Sequence, residues 1–329
     1  MDMLHDGDID LAPLSGKRVA ILGYGNQGRA QALNLKDSGV NVVVGLRGAS
    51  GSSTAAEEAG LEVGLLEDSV ASADIVMFLA PDEVLGSIYR EVEARIRYGA
   101  AIGFSHGLAI HFGFIRPRTD LDVFLVAPKG PGSALRSLFQ QRRGMVGLWA
   151  IEHDASGHAR ELALAYGKAI GCARAGLIAS TFAEECEADL FNEQAVLWGA
   201  IPELIHAGFE TLVEAGFAPE IAYFECLTEV KLLADLIYER GIAGMREAIS
   251  NTAEFGALKG GTRIVTADTR TEMRRILREV RSGSFVRDLI ADAEAGYPLL
   301  KASRAKAAAH PIEEVRRQLD ALKGQPGDE

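Results

Sequence analysis

The sequence predicts an α/β fold, with an N-terminal Rossmann-type, doubly wound parallel sheet followed by an all-helical C-terminal domain. Two observations predict it. Short apolar segments alternate with helical segments in the first half of the chain, as in βαβ repeats. After about residue 180 no strand pattern is found, and apolar residues recur at helical spacing. We place the two domains at residues 1–181 and 182–329.

Five segments of the first half have the composition of parallel strands. They are apolar almost throughout, because a parallel strand is covered on both faces. The predicted strands are 18–22, 41–46, 75–80, 100–104 and 123–127. In the second half, the predicted helical segments are 182–215, 219–239, 241–250, 270–281 and 284–293. The polar tail, 311–329, is expected to end in disorder.

Composition excludes several classes of partner. The 329 residues include 34 Lys or Arg and 46 Asp or Glu, and the net charge of -12 disfavours nucleic acid and anionic membranes. No apolar run approaches the ~20 residues of a membrane span, and residues 1–14 lack the pattern of a signal peptide. Three scattered cysteines predict neither disulfides nor a zinc site, so we expect a cytoplasmic protein.

A glycine-rich turn joins the first strand to the first helix. It consists of Gly23, Tyr24, Gly25, Asn26, Gln27 and Gly28. Such a turn lets the backbone approach a pyrophosphate, which the N–H groups at the helix N-terminus then bind. Strand, turn, helix and second strand fall within about 30 residues, as in dinucleotide-binding domains. The alternative is a glycine-rich turn that binds nothing.

The end of the second strand bears on the choice of dinucleotide. NAD sites usually carry an acidic residue there for the ribose 2′-hydroxyl. This sequence instead has Arg47, followed by Ser50, Ser52 and Ser53. A guanidinium and several hydroxyls suit a 2′-phosphate, so the sequence predicts NADP(H). The alternative is that Arg47 is solvated and the serines only form the loop.

Two pairs of carboxylates lie in the helical half. Asp189 and Glu193 are four residues apart, as are Glu225 and Glu229, so each pair shares one helix face. Apolar neighbours at three and four positions predict that Glu193 and Glu229 face the core. Buried carboxylates need a compensating cation, and a set of hard oxygen donors favours Mg²⁺ or Mn²⁺ over zinc. The alternative is a set of ordinary acids on helix surfaces.

Three further acids, Glu184, Glu185 and Glu187, are expected to be solvated and to stabilise the N-terminus of their helix. Polar residues also follow two predicted strands. His106 comes after the fourth strand, and Lys129 after the fifth, at the sheet edge where ligands bind. His106 is a candidate proton shuttle and Lys129 a candidate partner for a carboxylate. The alternative for His106 is a structural histidine.

Together these residues resemble ketol-acid reductoisomerases of the short, class I type. The matching motifs run from residue 23 to about 310. They are GYGNQG at 23–28, APDE at 80–83, FSHG at 104–107, DLFNEQ at 189–194, GFETLVEAGFAPEIAYFECLTE at 208–229 and ISNTAEFG at 249–256.

The resemblance implies an enzyme of branched-chain amino-acid biosynthesis. Its substrate is a 2-hydroxy-3-keto acid, either 2-acetolactate or 2-aceto-2-hydroxybutyrate. Alkyl migration that depends on two Mg²⁺ ions is followed by reduction with NADPH to the 2,3-dihydroxy acid. The resemblance also implies a knotted helical domain and a homodimer, or a larger oligomer, with shared active sites.

The resemblance further assigns the site residues. Asp189 and Glu193 match ligands of the two metal ions, with Glu193 also placed for proton transfer. Glu225 and Glu229 match acids that come from the partner subunit, and Ser250 matches a substrate-binding serine. His106 and Lys129 match the catalytic polar pair. The remaining cofactor-binding positions are Arg47, Ser50, Ser52, Pro81, Asp82 and Gly132.

Several residues depart from the family pattern. Trp198 stands where a small cysteine is usual, Ala200 and Asn192 replace glycines, and Ser133 replaces His or Thr. Trp198 either packs in the core or reshapes the pocket near the migrating alkyl group. Two alternatives to the family's reaction therefore stay open. One is a diverged enzyme for another ketol or keto acid in specialised metabolism, and the other is a non-catalytic NADP-binding protein.

Overall fold

Alternating apolar side chains on each strand build a sheet that is buried on both faces. In the computed structural model, which describes residues 2–323, Val19 and Ile21 belong to one buried cluster. Ala20 and Leu22, the intervening residues, belong to the cluster on the other face. This period of two is the geometry of a strand. The chain divides into two compact units, Met1–Ala188 and Asp189–Glu329, and the sheet lies in the first.

The sheet of the first unit has nine strands. They are β1 (Met3–Leu4), β2 (Arg18–Leu22), β3 (Asn41–Leu46), β4 (Glu62–Leu65), β5 (Ile75–Phe78), β6 (Ala101–Phe104), β7 (Asp122–Pro128), β8 (Gly147–His153) and β9 (Leu177–Ala179). Their spatial order is β1-β9-β8-β7-β6-β5-β2-β3-β4. The six strands from β4 to β7 are parallel, whereas β8 pairs antiparallel with β7, and β1 with β9.

The chain reverses its direction of travel across the sheet next to β2. It runs from β2 outward through β3 and β4, then returns to β5 on the other side of β2 and continues through β6 and β7. Ligands of open α/β sheets bind at such a switch point, beyond the carboxyl ends of the strands. The glycine turn, Arg47, His106 and Lys129 all follow the carboxyl ends of these parallel strands.

Seven helices connect these strands. They are α1 (Asn26–Asp37), α2 (Gly51–Glu58), α3 (Leu66–Ala71), α4 (Asp82–Val92), α5 (Leu108–His111), α6 (Gly132–Gln140) and α7 (Ala159–Ala169). Residues of α1 and α7 pack into one buried cluster, and residues of α3 and α4 pack into the other. Helices therefore cover both faces of the sheet, as the predicted doubly wound fold requires.

The second unit is helical throughout its described residues. Its helices are the end of α8 (Phe182–Asn192), α9 (Ala200–Glu214), α10 (Pro219–Tyr223), α11 (Glu229–Ala248), α12 (Asn251–Ile264), α13 (Ala267–Arg281), α14 (Ser284–Glu294), α15 (Pro298–Ala308) and α16 (Pro311–Lys323). Two π-helical turns, Glu193–Leu197 and Phe224–Thr228, precede α9 and α11. A small core joins α9, α10 and α16 through Phe209, Tyr223 and Val315.

The predicted fold class is confirmed, and the differences are local. The first two predicted strands match β2 and β3 residue for residue. Four strands were not predicted, namely β1, β4, β8 and β9. Residues 311–323 of the polar tail form α16, and residues 324–329 lie outside the described residues. Among the described helices, none combines the length and the apolar character needed to cross a bilayer.

Candidate active site

The glycine turn is shaped by contacts that only glycine permits. Gly23 has a φ of +103, and a Cβ there would lie 2.7 Å from the backbone nitrogen of Ala80. A Cβ on Gly28 would lie 2.1 Å from the carbonyl oxygen of Gly23. Gly25, by contrast, would meet nothing within 4 Å, and it caps α1 without a side-chain hydrogen bond. The N-terminal N–H groups of α1 are therefore available to an anion, which fits a dinucleotide pyrophosphate.

Side chains of the turn tie it to the loop after β7. The Gln27 amide donates to the carbonyl oxygen of Gly130 over 2.9 Å. The backbone N–H of Ser133 donates to the Asn26 side chain over 2.8 Å. A Cβ on Gly132 would lie 2.1 Å from the Asn26 carbonyl oxygen. Asn26, Gln27 and Gly132, all predicted to bind the cofactor, thus hold two ligand-facing loops together.

The residues predicted to bind a 2′-phosphate have different surroundings. Ser50 and Ser53 form the capping box of α2, and the Ser53 hydroxyl donates to the Ser50 carbonyl oxygen over 2.7 Å. Ser52 is exposed at the start of the same helix. Arg47 instead contacts Ser87 and Glu91 of α4. Pro81 and Asp82 lie where α4 begins, just beyond the carboxyl end of β5.

A buried carboxylate joins the polar residues that follow β6 and β7. Glu185 of α8 is 1% exposed, and its Oε2 lies 3.0 Å from Nδ1 of His106. The same oxygen accepts the backbone N–H of Gly107 over 2.8 Å. Its Oε1 accepts a hydrogen bond from Nζ of Lys129 over 3.2 Å. We call Glu185, His106 and Lys129 the Glu185 cluster.

The surroundings of His106 and Glu185 favour the charged form of each. Burial alone would lower the pKa of His106, but its contacts with Cys186 and Glu185 outweigh burial and hold that pKa well above the usual value. Burial would raise the pKa of Glu185, yet His106, Lys129 and the Gly107 N–H together lower it. Both shifts in pKa favour an imidazolium beside a carboxylate, with the Lys129 side chain on the other carboxylate oxygen.

The expectation that Glu185 is solvated is wrong, and it left a candidate site residue unrecognised. Glu184 is exposed as expected, whereas Glu185 faces inward. The signal was present locally. Glu185 lies between the buried residues Phe182 and Cys186 and four positions before Asp189, so it shares the face of α8 that carries a predicted metal ligand.

The predicted metal ligands lie on continuous helical segments. Asp189, partly buried, is one turn beyond Glu185 along α8. Glu193, also partly buried, begins the π-helical turn that follows. Glu225 is the second residue of the second π-helical turn, Glu229 begins α11, and both are exposed.

The expectation that Glu229 faces the core is wrong for the described chain. Its apolar neighbours Leu232 and Leu233 are 66% and 45% exposed. Helical spacing showed that α11 has an apolar stripe, but spacing alone does not identify the surface that the stripe packs against.

Two residues linked to the substrate lie on the helical unit. Ser250 caps α12, where its hydroxyl accepts the N–H of Ala253 over 3.1 Å. Trp198 directly follows the π-helical turn that Glu193 begins, and its side chain is 64% exposed. Packing of Trp198 in the core of its own chain, one of the two expectations for this residue, is therefore wrong.

Comparisons with known proteins agree with this arrangement. Residues 13–176 match the acetohydroxy acid isomeroreductase, NADPH-binding domain, and residues 182–324 match the ketol-acid reductoisomerase, C-terminal domain. The chain is also similar to the solved structure of an NADH-preferring ketol-acid reductoisomerase from an uncultured archean. The identity is 43% and the TM-score 0.95, over 99% of this chain and 100% of that one.

More distant structures share the fold alone. A semialdehyde dehydrogenase NAD-binding protein from Cupriavidus necator is 19% identical, with a TM-score of 0.61 over 81% of this chain and 99% of that one. A 1-pyrroline-5-carboxylate reductase from Streptococcus pyogenes is 17% identical, with a TM-score of 0.52 over 81% and 98%. Because family matches cover both halves of the sequence, the chain belongs to the ketol-acid reductoisomerase family.

Proposed function

We propose that the chain converts 2-acetolactate or 2-aceto-2-hydroxybutyrate into the corresponding 2,3-dihydroxy acid, in branched-chain amino-acid biosynthesis. The observation that carries this proposal is the Glu185 cluster. It gathers two cationic side chains at the carboxyl ends of β6 and β7, one helical turn before Asp189. The proposal places this reaction in the cytoplasm, as expected from the sequence.

The residues present fit the two groups that the reaction needs. Asp189, Glu193, Glu225 and Glu229 offer carboxylate oxygens, which Mg²⁺ prefers. The glycine turn offers backbone N–H groups to a pyrophosphate. When bound, the metal ions polarise the substrate carbonyl and the reduced dinucleotide supplies a hydride.

The chain's own side chains orient the substrate and stabilise its negative charge. Glu185 holds the His106 imidazolium and the Lys129 ammonium in fixed positions, since it accepts a hydrogen bond from each. These cations stabilise negative charge on the substrate carboxylate and on the substrate oxygen that becomes negative during alkyl migration. Glu193 takes part in proton transfer, and the Ser250 hydroxyl binds the substrate.

Loss of reduced-nicotinamide absorbance in the presence of 2-acetolactate and Mg²⁺ tests the proposal. We expect turnover by the native protein and a fall of about 100-fold or more in Glu193→Gln. Glu184→Gln, which changes an exposed acid on α8, is the matched control and should keep its activity. Absence of turnover by the native protein, or full activity in Glu193→Gln, would refute the proposal.

The exposed Trp198 favours a second candidate, a related enzyme with an altered acyl or alkyl preference. A large indole close to a metal ligand would fill space that the migrating group needs. If this holds, Trp198→Cys should change the ratio of rates on 2-acetolactate and 2-aceto-2-hydroxybutyrate by roughly 10-fold. An unchanged ratio would exclude Trp198 from the pocket.

We further propose that the functional unit is a homodimer in which Glu225 and Glu229 complete the partner's site. Large apolar side chains lie exposed on the helical unit, as they do before a partner covers them. Examples are Trp198, Phe224, Leu232, Phe255 and Leu258. Light scattering should give twice the mass of the chain, and a monomer at micromolar concentration would contradict this part of the proposal.

A further inference from the structure

Arg47 is held by a neighbouring helix of its own domain. It directly follows β3, the strand whose end meets the ribose 2′ position of a bound dinucleotide. Its Nε lies 3.6 Å from Oε2 of Glu91, and its Nη2 donates to the Ser87 hydroxyl over 3.2 Å. Ser87 and Glu91 are one turn apart on α4, so both lie on the helix face that meets Arg47.

Acidic side chains surround this guanidinium. Arg47 and Glu91 line a cavity of about 320 Å³ at this edge of the sheet, together with Glu67, Asp68 and three leucines. Glu67 lies 3.3 Å from Arg95, which offsets its charge. Two further carboxylates, those of Asp68 and Glu91, thus share the cavity with one arginine, an environment that disfavours a dianionic ligand.

The serine hydroxyls of the following loop do little to reverse this balance. Ser53 is buried, and its hydroxyl is committed to the Ser50 backbone. The Ser50 hydroxyl accepts the Ser53 N–H over 3.3 Å. Ser50 and Ser52 are the two exposed serines of the three. Because the serine hydroxyls are neutral, the charge attraction for a 2′-phosphate at these positions comes from Arg47.

We propose that Glu91 is a specificity-determining residue that competes with the 2′-phosphate of NADPH for Arg47. This inference rests on the proposed function only in taking a nicotinamide dinucleotide as cofactor. A phosphate either draws Arg47 away from Glu91 or binds beside an uncompensated carboxylate, and both weaken NADPH binding. The neutral 2′-hydroxyl of NADH needs neither change, so Glu91 lowers the preference for NADPH over NADH.

Fluorescence titration of NADPH and NADH, at low ionic strength and without substrate or metal, tests this role. We expect Glu91→Gln to raise the ratio of NADH Kd to NADPH Kd by about 3-fold to 10-fold, mostly through tighter NADPH binding. Glu58→Gln removes the same charge from an exposed position at the end of α2 and should leave the ratio unchanged. In an Arg47→Ala background, the effect of Glu91→Gln should shrink to less than about 2-fold.

An unchanged ratio in Glu91→Gln would overturn the inference. So would a lower ratio, because Glu91 would then hold Arg47 ready for the phosphate. The measurement needs no turnover, so an inactive protein that binds both dinucleotides refutes the proposed reaction and leaves the role of Glu91 testable. A protein that binds neither dinucleotide refutes both.

Discussion

The two units of this chain differ in how completely each buries its own apolar side chains. The first unit covers both faces of its sheet and leaves 3 of the 21 exposed large apolar side chains of the described residues. The second unit carries the other 18. The first unit is therefore complete as a single chain, whereas the second presents surfaces of the kind that associate.

The acidic residues of the two units differ in the same way. Glu185, at the end of the first unit, is buried and compensated by His106 and Lys129. Glu225 and Glu229, in the second unit, are exposed on helices whose apolar neighbours are exposed as well. Under the proposed function, the first unit forms its part of the site on folding, whereas metal ions and a partner chain complete the second.

The largest expected effect separates the two kinds of carboxylate. Glu185→Ala leaves the cations of His106 and Lys129 without their buried partner and should lower the free energy of unfolding by about 3–5 kcal/mol. Glu229→Ala, measured with chelator present, should change it by less than about 0.5 kcal/mol. Urea denaturation of both variants measures this difference. Equal destabilisation would show that Glu185 and Glu229 contribute equally to the free energy of unfolding, against our account.

Apolar side chains of the two units give the next contrast. Leu85, 2% exposed, lies in the core of the first unit, and Leu85→Ala should cost about 2–5 kcal/mol of unfolding free energy. Leu232→Asp should instead shift a dimer toward monomer in light scattering, because this leucine is 66% exposed. Leu65→Asp, at an exposed position on β4, is the control and should leave the mass unchanged. Loss of the dimer in the control alone would reverse our assignment of the interface.

A smaller effect concerns Gly28 and Gly25, two glycines of the first unit that differ in how closely other atoms approach them. Gly28→Ala places a methyl group against the Gly23 carbonyl oxygen and should destabilise the fold by about 1–3 kcal/mol. Gly25→Ala meets no atom within 4 Å and should keep the stability of the native protein. It should nevertheless weaken dinucleotide binding, since its methyl group lies where the backbone approaches the pyrophosphate. If Gly25→Ala binds the dinucleotide with native affinity, the pyrophosphate does not bind at the glycine turn.

The smallest effect concerns an ion pair and pH. Hydrogen bonds from the Arg118 guanidinium lower the pKa of Asp120 from 3.8 to about 2. The stabilisation by this pair is therefore complete above pH 3.8 and is lost as the pH falls through about 2. Thermal unfolding should show Arg118→Gln less stable than the native protein at pH 5, and the difference should narrow at pH 2.5. Arg275→Gln, on an exposed surface of the helical unit, should be as stable as the native protein at pH 5.

Local patterns predicted five of the nine strands but not the Glu185 cluster. β2 and β3 are specified by contiguous apolar residues, so their bounds could be predicted. The partners of Glu185 lie 79 and 56 residues away in sequence, and only the folded chain brings them together. An acidic residue at a helix start is usually solvated, which is why local sequence predicted the wrong surroundings.

The strands that were not predicted have a related explanation. β8 pairs antiparallel near the edge of the sheet, and its residues are partly exposed, so it lacks the continuous apolar pattern of β5 or β7. Spacing likewise identified the apolar stripe beside Glu229 but not that Leu232 and Leu233 are exposed in the single chain. Contacts distant in sequence, including those with another chain, leave little trace in a local pattern.

The most direct test of the central claim, that the helical unit completes its site with a second copy, is complementation in heterodimers. Glu193→Gln and Glu229→Gln chains, co-expressed with different tags and purified as heterodimers, should regain roughly half of the native turnover, because two-fold symmetry restores one of two sites. Heterodimers of Glu193→Gln with Asp189→Asn should stay inactive, since both changes fall on the same side of each site. Heterodimers of the first kind that stay as inactive as their parents would contradict the claim.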